Sequence, residues 1–274
     1  EDTTAAAAPT PRSMVPGDSP KKGGGELAIV NFNKDAKFAT VNKLLVDVSK
    51  KSPAIIIPQT ISKGAFSKIK MQDYKEADIQ SYYAGLSKDK ESLEFYGTQY
   101  EPRSSSGFLY DSKNIQQVGP GMGLGVKHYL VQLDDDKKIS LDKNDKGKLL
   151  DANKNEIGGQ FAIGSKFMID GNTVLIISIS LPNISVKNMK PVLTNLLSLF
   201  KSELDKESSV TKIAAVVSLG NPNPKIEISG FSSVKVPGTN NLIIYSPQKE
   251  GPVEVISHSN IDNSNEILIK LANK

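Results

Sequence analysis

The sequence predicts a layered fold in which buried strands are interrupted by two long helices, and three observations predict it. Short, nearly continuous apolar runs rich in β-branched residues recur at Leu27–Val30, Ala54–Ile57, Val174–Leu181 and Ile213–Val217; such runs read as strands covered on both faces. Two segments carry apolar residues at helical spacing: Phe38, Val41, Leu44, Leu45 and Val48, then Val192, Leu193, Leu196, Leu197, Leu199, Phe200 and Leu204. Finally, the first two strands and the first helix fall within about 30 residues, the size of a strand–helix–strand crossover unit.

Composition sets the limits. The chain has 274 residues, enough for a sizeable core. Its 34 basic and 30 acidic residues leave a net charge of only +4, with no dense Lys/Arg stripe, so nucleic acid is not a favoured partner. Cysteine is absent, which excludes disulfides, thiolate catalysis and cysteine-based zinc sites. With two histidines, His128 and His258, a histidine-rich metal site is not expected, and no apolar run is long enough to span a membrane.

Taken in order, residues 1–25 are Ala, Thr, Pro, Gly, Ser and Lys with almost no large apolar side chain, a low-complexity tail that reads as a spacer or as a tether to a membrane anchor. Residues 26–274 read as a single domain. Its first strand ends in Asn31-Phe32-Asn33, the first helix stops at Ser52-Pro53, and the second strand closes at Pro58-Gln59-Thr60. Residues 61–103, mixed and charged, read as helix or irregular structure, with Tyr74, Tyr82, Tyr83, Tyr96 and Tyr100 as half-buried packing or a contact surface. A strand is expected at 106–110, a turn at Asp111–Asn114, a second strand from Ile115, and a flexible loop through the glycine-dense 119–125. After a strand at 127–133, the charged stretch 134–160 reads as a surface hairpin insert turning at Asn153-Lys154-Asn155. Asp151-x-Asn153-x-Asn155 fails as a calcium loop, because Glu156 stands where glycine is needed and Ala162 where the bidentate Glu would be. Strands follow on either side of a turn at Gly171-Asn172, then the second helix, then the run from Ile213. That run breaks at Gly220-Asn221-Pro222-Asn223-Pro224, where two prolines remove ladder donors and two amide side chains are left at the strand end. Strands at 241–246, 253–257 and 267–271 complete the chain.

Seven local matches, in order, make residues 26–273 resemble the endonuclease/exonuclease/phosphatase superfamily, which includes apurinic endonucleases, DNase I, sphingomyelinases and inositol phosphatases. Leu27–Asn33 is similar to the first strand of that family, with Asn33 at its Asn. Ala54-Ile-Ile-Ile-Pro-Gln-Thr60 resembles D-I-I-x-L-Q-E, with Thr60 at the metal-binding Glu. Gly107–Tyr110 resembles the next strand, and Val174–Leu181 resembles V-x-N-T-H-L with Ser180 at the His. Gly220-Asn221-Pro222-Asn223 is similar to G-D-F-N, with Asn221 at the activating Asp and Asn223 kept. Asn241–Ser246 resembles D-Y-I-L-V-S with Asn241 at the Asp, and Asn265 and Glu266 fall where Asp and His of S-D-H belong. The resemblance implies an α+β, DNase I-like four-layer architecture: a two-sheet β-sandwich flanked by helices, with its site where the strand ends of both sheets meet.

The substitutions carry the functional expectation. Metal-assisted phosphodiester hydrolysis needs carboxylates for Mg²⁺, a base for the attacking water and a cation or donor for the transition state. Thr60, Asn221, Asn241 and Asn265 are neutral, Ser180 and Glu266 are not imidazoles, and Asn33 and Asn223 retain only a structural role. The expected protein is therefore a pseudoenzyme with no cofactor and no bound metal, a binding or scaffolding module for protein partners. Residues 134–160 and 74–100 are its expected contact surfaces. Two alternatives stand beside it: a divergent metal-dependent phosphodiesterase or phosphatase with a relocated site, and an exported periplasmic or surface protein tethered through its N-terminal tail.

Overall fold

The computed structural model describes residues 25–32, 36–59, 68–86, 92–98, 107–119, 128–132, 142–143, 149–150, 161–181, 189–194, 196–198, 210–219, 225–246, 253–261 and 263–271. Its strands are β1 (Glu26–Asn31), β2 (Ile55–Gln59), β3 (Tyr74–Glu76), β4 (Gln80–Leu86), β5 (Ser92–Thr98), β6 (Leu109–Asp111), β7 (Gln116–Gly119), β8 (His128–Gln132), β9 (Asp142–Lys143), β10 (Leu149–Leu150), β11 (Phe161–Ile169), β12 (Asn172–Leu181), β13 (Val210–Leu219), β14 (Ser232–Lys235), β15 (Asn241–Tyr245), β16 (Glu254–Ile261) and β17 (Ser264–Lys270). Helix α1 spans Phe38–Ser49.

The strands form a six-stranded sheet, β16-β17-β1-β2-β6-β3, and a nine-stranded sheet, β14-β15-β13-β12-β11-β4-β5-β8 with β7 also on β11. The short β9–β10 ladder stands apart. One apolar core lies between the two large sheets. Alternate residues Leu27, Ile29, Ile55, Ile57, Ile267 and Ile269 from the first meet Ile163, Phe167, Val174, Ile176, Val216 and Ile243 from the second. Each such side chain contributes about 1.5–3 kcal/mol on full burial, which makes this layer the main source of cohesion. The other face of the six-stranded sheet, through Ala28, Val30, Ile56 and Leu268, packs on Val41, Leu44, Leu45 and Val48 of α1. The fold is an α+β two-sheet sandwich.

Each sheet contains one parallel pair, β1–β2 and β12–β13. A parallel pair needs a long crossover; α1 lies on the first, and helical residues 189–194 and 196–198 lie on the second, burying Met189, Val192, Leu193, Leu196 and Leu197. Residues 213–218 are buried throughout, as a strand flanked by β12 and β15 requires. Both crossovers leave the C-terminal ends of β1, β2, β12 and β13 at polar residues: Asn31, Gln59, Ser180 and Ser218.

Two expectations are corrected. Segment 61–103 contains strands β3, β4 and β5, not helix; β4 and β5 form an antiparallel hairpin with Tyr83 opposite Tyr96, and paired tyrosines suit a pleated surface better than a helix. The β11–β12 turn is Asp170-Gly171, because Ile169 pairs with Asn172. Both turn residues have positive φ, 48° and 77°, the two-residue geometry that matches strand twist and favours Asp-Gly. Within the charged stretch 134–160, β9 pairs antiparallel with β10; the expected turn at 153–155 lies outside the described residues. Strand β2 also runs through Pro58 to Gln59. Its second neighbour β6 pairs only with Ile55 and Ile56, so the missing proline donor falls where β2 has one partner strand.

Candidate functional site

The polar strand ends form one continuous hydrogen-bonded network between the sheets. Gln59 Nε2 donates to Ser178 Oγ at 3.0 Å and to the Val216 carbonyl at 3.4 Å. Asn241 Nδ2 donates to Gln59 Oε1 at 3.2 Å. Asn31 Nδ2 donates to Asn241 Oδ1 at 3.1 Å and to Ser218 Oγ at 3.0 Å. Asn31 and Gln59 belong to the six-stranded sheet and the other three side chains to the nine-stranded sheet, so the network ties the sandwich together at one end.

Local geometry sets each member. Residues two apart on a strand share a face. Asn31 follows core residues Leu27 and Ile29; Gln59 follows Ile55 and Ile57; Ser178 and Ser180 follow Val174 and Ile176; Ser218 follows Ala214 and Val216. Asn241 opens β15 opposite Ser218. The preceding turn holds it, because Thr239 Oγ1 accepts from the Asn241 N–H at 3.1 Å and donates to the Val236 carbonyl at 2.9 Å. Gln59 is 1% exposed and Asn241 0%, so polar atoms in this layer must find partners, and the amides find them in each other.

The expected site residues divide into those the structure brings together and those it does not. Asn241 is central. Ser180 is buried on the inner face beside Ser178 and in register with Ser218. Asn265 pairs in register with Asn31 and shares its face. Glu266 lies on the opposite face of β17, where its carboxylate pairs with Lys51 at the end of α1. Asn33, Thr60, Asn221 and Asn223 lie outside the described residues. Asn31, Ser178 and Ser218 were not singled out in the sequence. The two-residue parity with Ile29, Ile176 and Val216 is the signal that finds them. Among the described residues no group of three or more His, Cys, Asp and Glu side chains comes together as a metal site.

A second polar cluster lies where the chain crosses from β3 in one sheet to β4 in the other. Gln117 Nε2 donates to the Asp78 carbonyl at 2.8 Å and to Ser165 Oγ at 2.9 Å, Ser165 Oγ donates to the same carbonyl at 2.8 Å, and the Asp78 N–H donates to Gln117 Oε1 at 3.2 Å. Burial, and then the Asp78 charge, push the Tyr110 phenol above its ordinary pKa.

No protein-family model matches the sequence, and no curated protein matches it. Solved structures do share its architecture. Mannosyl-6-phosphatase Bt3783 of Bacteroides thetaiotaomicron superposes with a TM-score of 0.54 at 9% identity over 90% of this chain and 100% of that one. The endonuclease/exonuclease/phosphatase of Bacteroides vulgatus gives 0.50 at 8% identity over 91% and 100%. The chain therefore has the endonuclease/exonuclease/phosphatase fold, and its structural neighbours are enzymes of that class. The fold class implies Mg²⁺ at the strand ends. Among the described residues the donors do not fit it: they are carboxamides and hydroxyls, bonded to one another, and Mg²⁺ takes charged oxygens and sheds its water reluctantly.

Proposed function

We propose that the chain is a catalytically inactive form of this fold, kept as a binding or scaffolding module with protein as its partner class. The observation that carries the reading is the neutral network of Asn31, Gln59, Asn241, Ser178 and Ser218 at the strand ends. A hydrolytic centre needs a base near the attacking water and charge opposite the phosphate. A carboxamide takes no proton near neutral pH, and Asn221 in the sequence offers no better base than Asn241. Loss of one such group costs about two to four powers of ten in rate, and here several are replaced together. The two-sheet framework is kept among the described residues, which suits a surface selected for recognition. Balanced charge favours protein over nucleic acid. Export to the periplasm or cell surface, with residues 1–25 as a tether, belongs to the same proposal; cell fractionation tests it, and recovery in the cytosol would count against it.

The deciding experiment is turnover of a phosphoester panel by the full chain: plasmid DNA, an abasic duplex, sphingomyelin and inositol phosphates, each with Mg²⁺ and with Mn²⁺. No turnover is expected from protein that melts cooperatively. Turnover that EDTA abolishes and Asn241→Ala reduces would overturn the reading and establish a rebuilt metal site.

A further inference from the structure

The strand-end network continues sideways into a row that it does not use up. Asn31 is in register with Asn265 on β17, Asn265 with Asn260 on β16, and, on the other side, Asn31 with Gln59 on β2. Residues directly opposed in a sheet share a face, and Asn31 faces the second sheet. Asn260, Asn265, Asn31 and Gln59 therefore form one line of carboxamides on four adjacent strands, about 4.8 Å apart. Exposure falls along the line: Asn260 is exposed, Asn265 and Asn31 are half-buried, and Gln59 is buried. The Asn260 and Asn265 side chains have no hydrogen-bond partner among the described residues. Nor has the Ser180 hydroxyl, only 7% exposed on the facing sheet. His258, exposed and in register with core residue Ile267, presents its ring on the same face two residues before Asn260.

The chemistry of the row selects its ligand. A carboxamide both donates and accepts, and so does a hydroxyl. No charge stands in the row, and the neighbouring Glu266 is turned to the other face and paired with Lys51. An ion would find no opposite charge in the row to offset its lost hydration. A neutral ligand bearing hydroxyls finds a complement at each position without desolvating a charge. The shelf has a flat ring, His258, at its open end. We propose that this shelf binds a neutral oligosaccharide, with Asn260 and Asn265 hydrogen-bonding its hydroxyls and His258 packing on a ring face. The proposal rests on the reading of the chain as a binding module and adds a second ligand class to it.

Titration calorimetry of the full chain against neutral hexasaccharides (malto-, cello-, manno- and chitohexaose) tests the proposal. A heparin-derived hexasaccharide, inorganic phosphate and an uncharged Gly/Ser/Thr peptide form the other arms. At least one neutral hexasaccharide should bind, with an affinity unchanged between low and high salt. Asn260→Ala and Asn265→Ala should each weaken that binding about tenfold, the scale of one or two lost hydrogen bonds. Ser259→Ala, opposite Glu266 on the other face, should leave it unchanged. Both asparagines reach the surface, so an unchanged melt confirms that each variant is folded. Binding of only the anionic or only the peptide arm would overturn the proposal. So would no neutral binding at all, or neutral binding that both asparagine variants retain. The phosphoester assay fails separately: turnover sinks the inactive reading whatever the calorimetry shows, whereas silence in both removes only the carbohydrate.

Discussion

Two polar clusters link the same two sheets, and they differ in what they leave over. At the β3–β4 crossing, Gln117 and Ser165 bond the backbone of one residue, Asp78, at both its N–H and its carbonyl. That cluster is a staple for a chain changing sheets, where no ladder partner exists. At the strand ends the bonds run from side chain to side chain, across both sheets, and hydroxyl and amide capacity remains at Ser180, Asn265 and Asn260. Burial of polar groups is common to both and so says nothing about function. Unspent hydrogen-bonding capacity, opening toward solvent at one end, is what separates a candidate recognition surface from a structural clamp.

The widest separation should come from Asn241→Leu. The side chain is 0% exposed and sits in the middle of the relay, so its loss strands the Gln59 carbonyl and an Asn31 N–H together. A cost of about 3 kcal/mol is expected, from the buried Gln59 acceptor and the half-buried Asn31 donor each losing the Asn241 bond. Urea denaturation of the two proteins at equal slope measures it. Removing Gln59 as well should then cost much less than its single variant does, because members of one network are not additive. Additive losses would mean that the relay is a set of separate contacts, and the contrast with the staple would collapse.

Gln117→Leu should cost less, about 1.5 kcal/mol, since the Ser165 hydroxyl still reaches the Asp78 carbonyl and the Asp78 N–H bond that is lost lies at an exposed residue. Its effect should be local. Amide exchange should rise at Asp78 and its neighbours while the Asn31, Gln59 and Asn241 side-chain amide signals stay in place. Movement of those signals would join the two clusters into one network and remove the distinction between them.

How much of this was legible beforehand depended on local pattern. The β-branched runs that became β1, β2, β12 and β13 announce themselves, since a strand buried on both faces has no room for polar residues until it leaves the sheet. The amphipathic stripe of α1 reads equally well, and four of its five apolar positions are buried, with Phe38 exposed. The β4–β5 hairpin is hard to read from sequence, because the charged residues 88–91 between its strands hide the alternation. At the site, Asn241 was visible as an amide where a carboxylate would be expected. Asn31 was passed over for Asn33, although parity with Ile29 places Asn31 on the inner face. The row through Asn265 to Asn260 needs the register of three strands, which no single stretch of sequence contains.

The smallest effect belongs to a tether outside both clusters. Tyr74 donates its phenol to the Pro53 carbonyl at 2.6 Å, fastening β3 to the end of the first crossover. Burial, and then the charges of Asp111 and Asp73, push its pKa up well beyond the ordinary tyrosine range. Tyr74→Phe removes one hydrogen bond and should cost about 1 kcal/mol at neutral pH. The sign of the pH effect follows from linkage. The folded state holds the phenol proton more tightly than the unfolded chain, so the contribution is fully present below the unfolded tyrosine pKa of about 10 and declines as pH rises above it. The parent should lose stability more steeply than Tyr74→Phe above about pH 10, and the two unfolding curves should draw together there. Parallel curves would show that the phenol is equally easy to ionise in both states, and the tether would then be a contact with water between its ends.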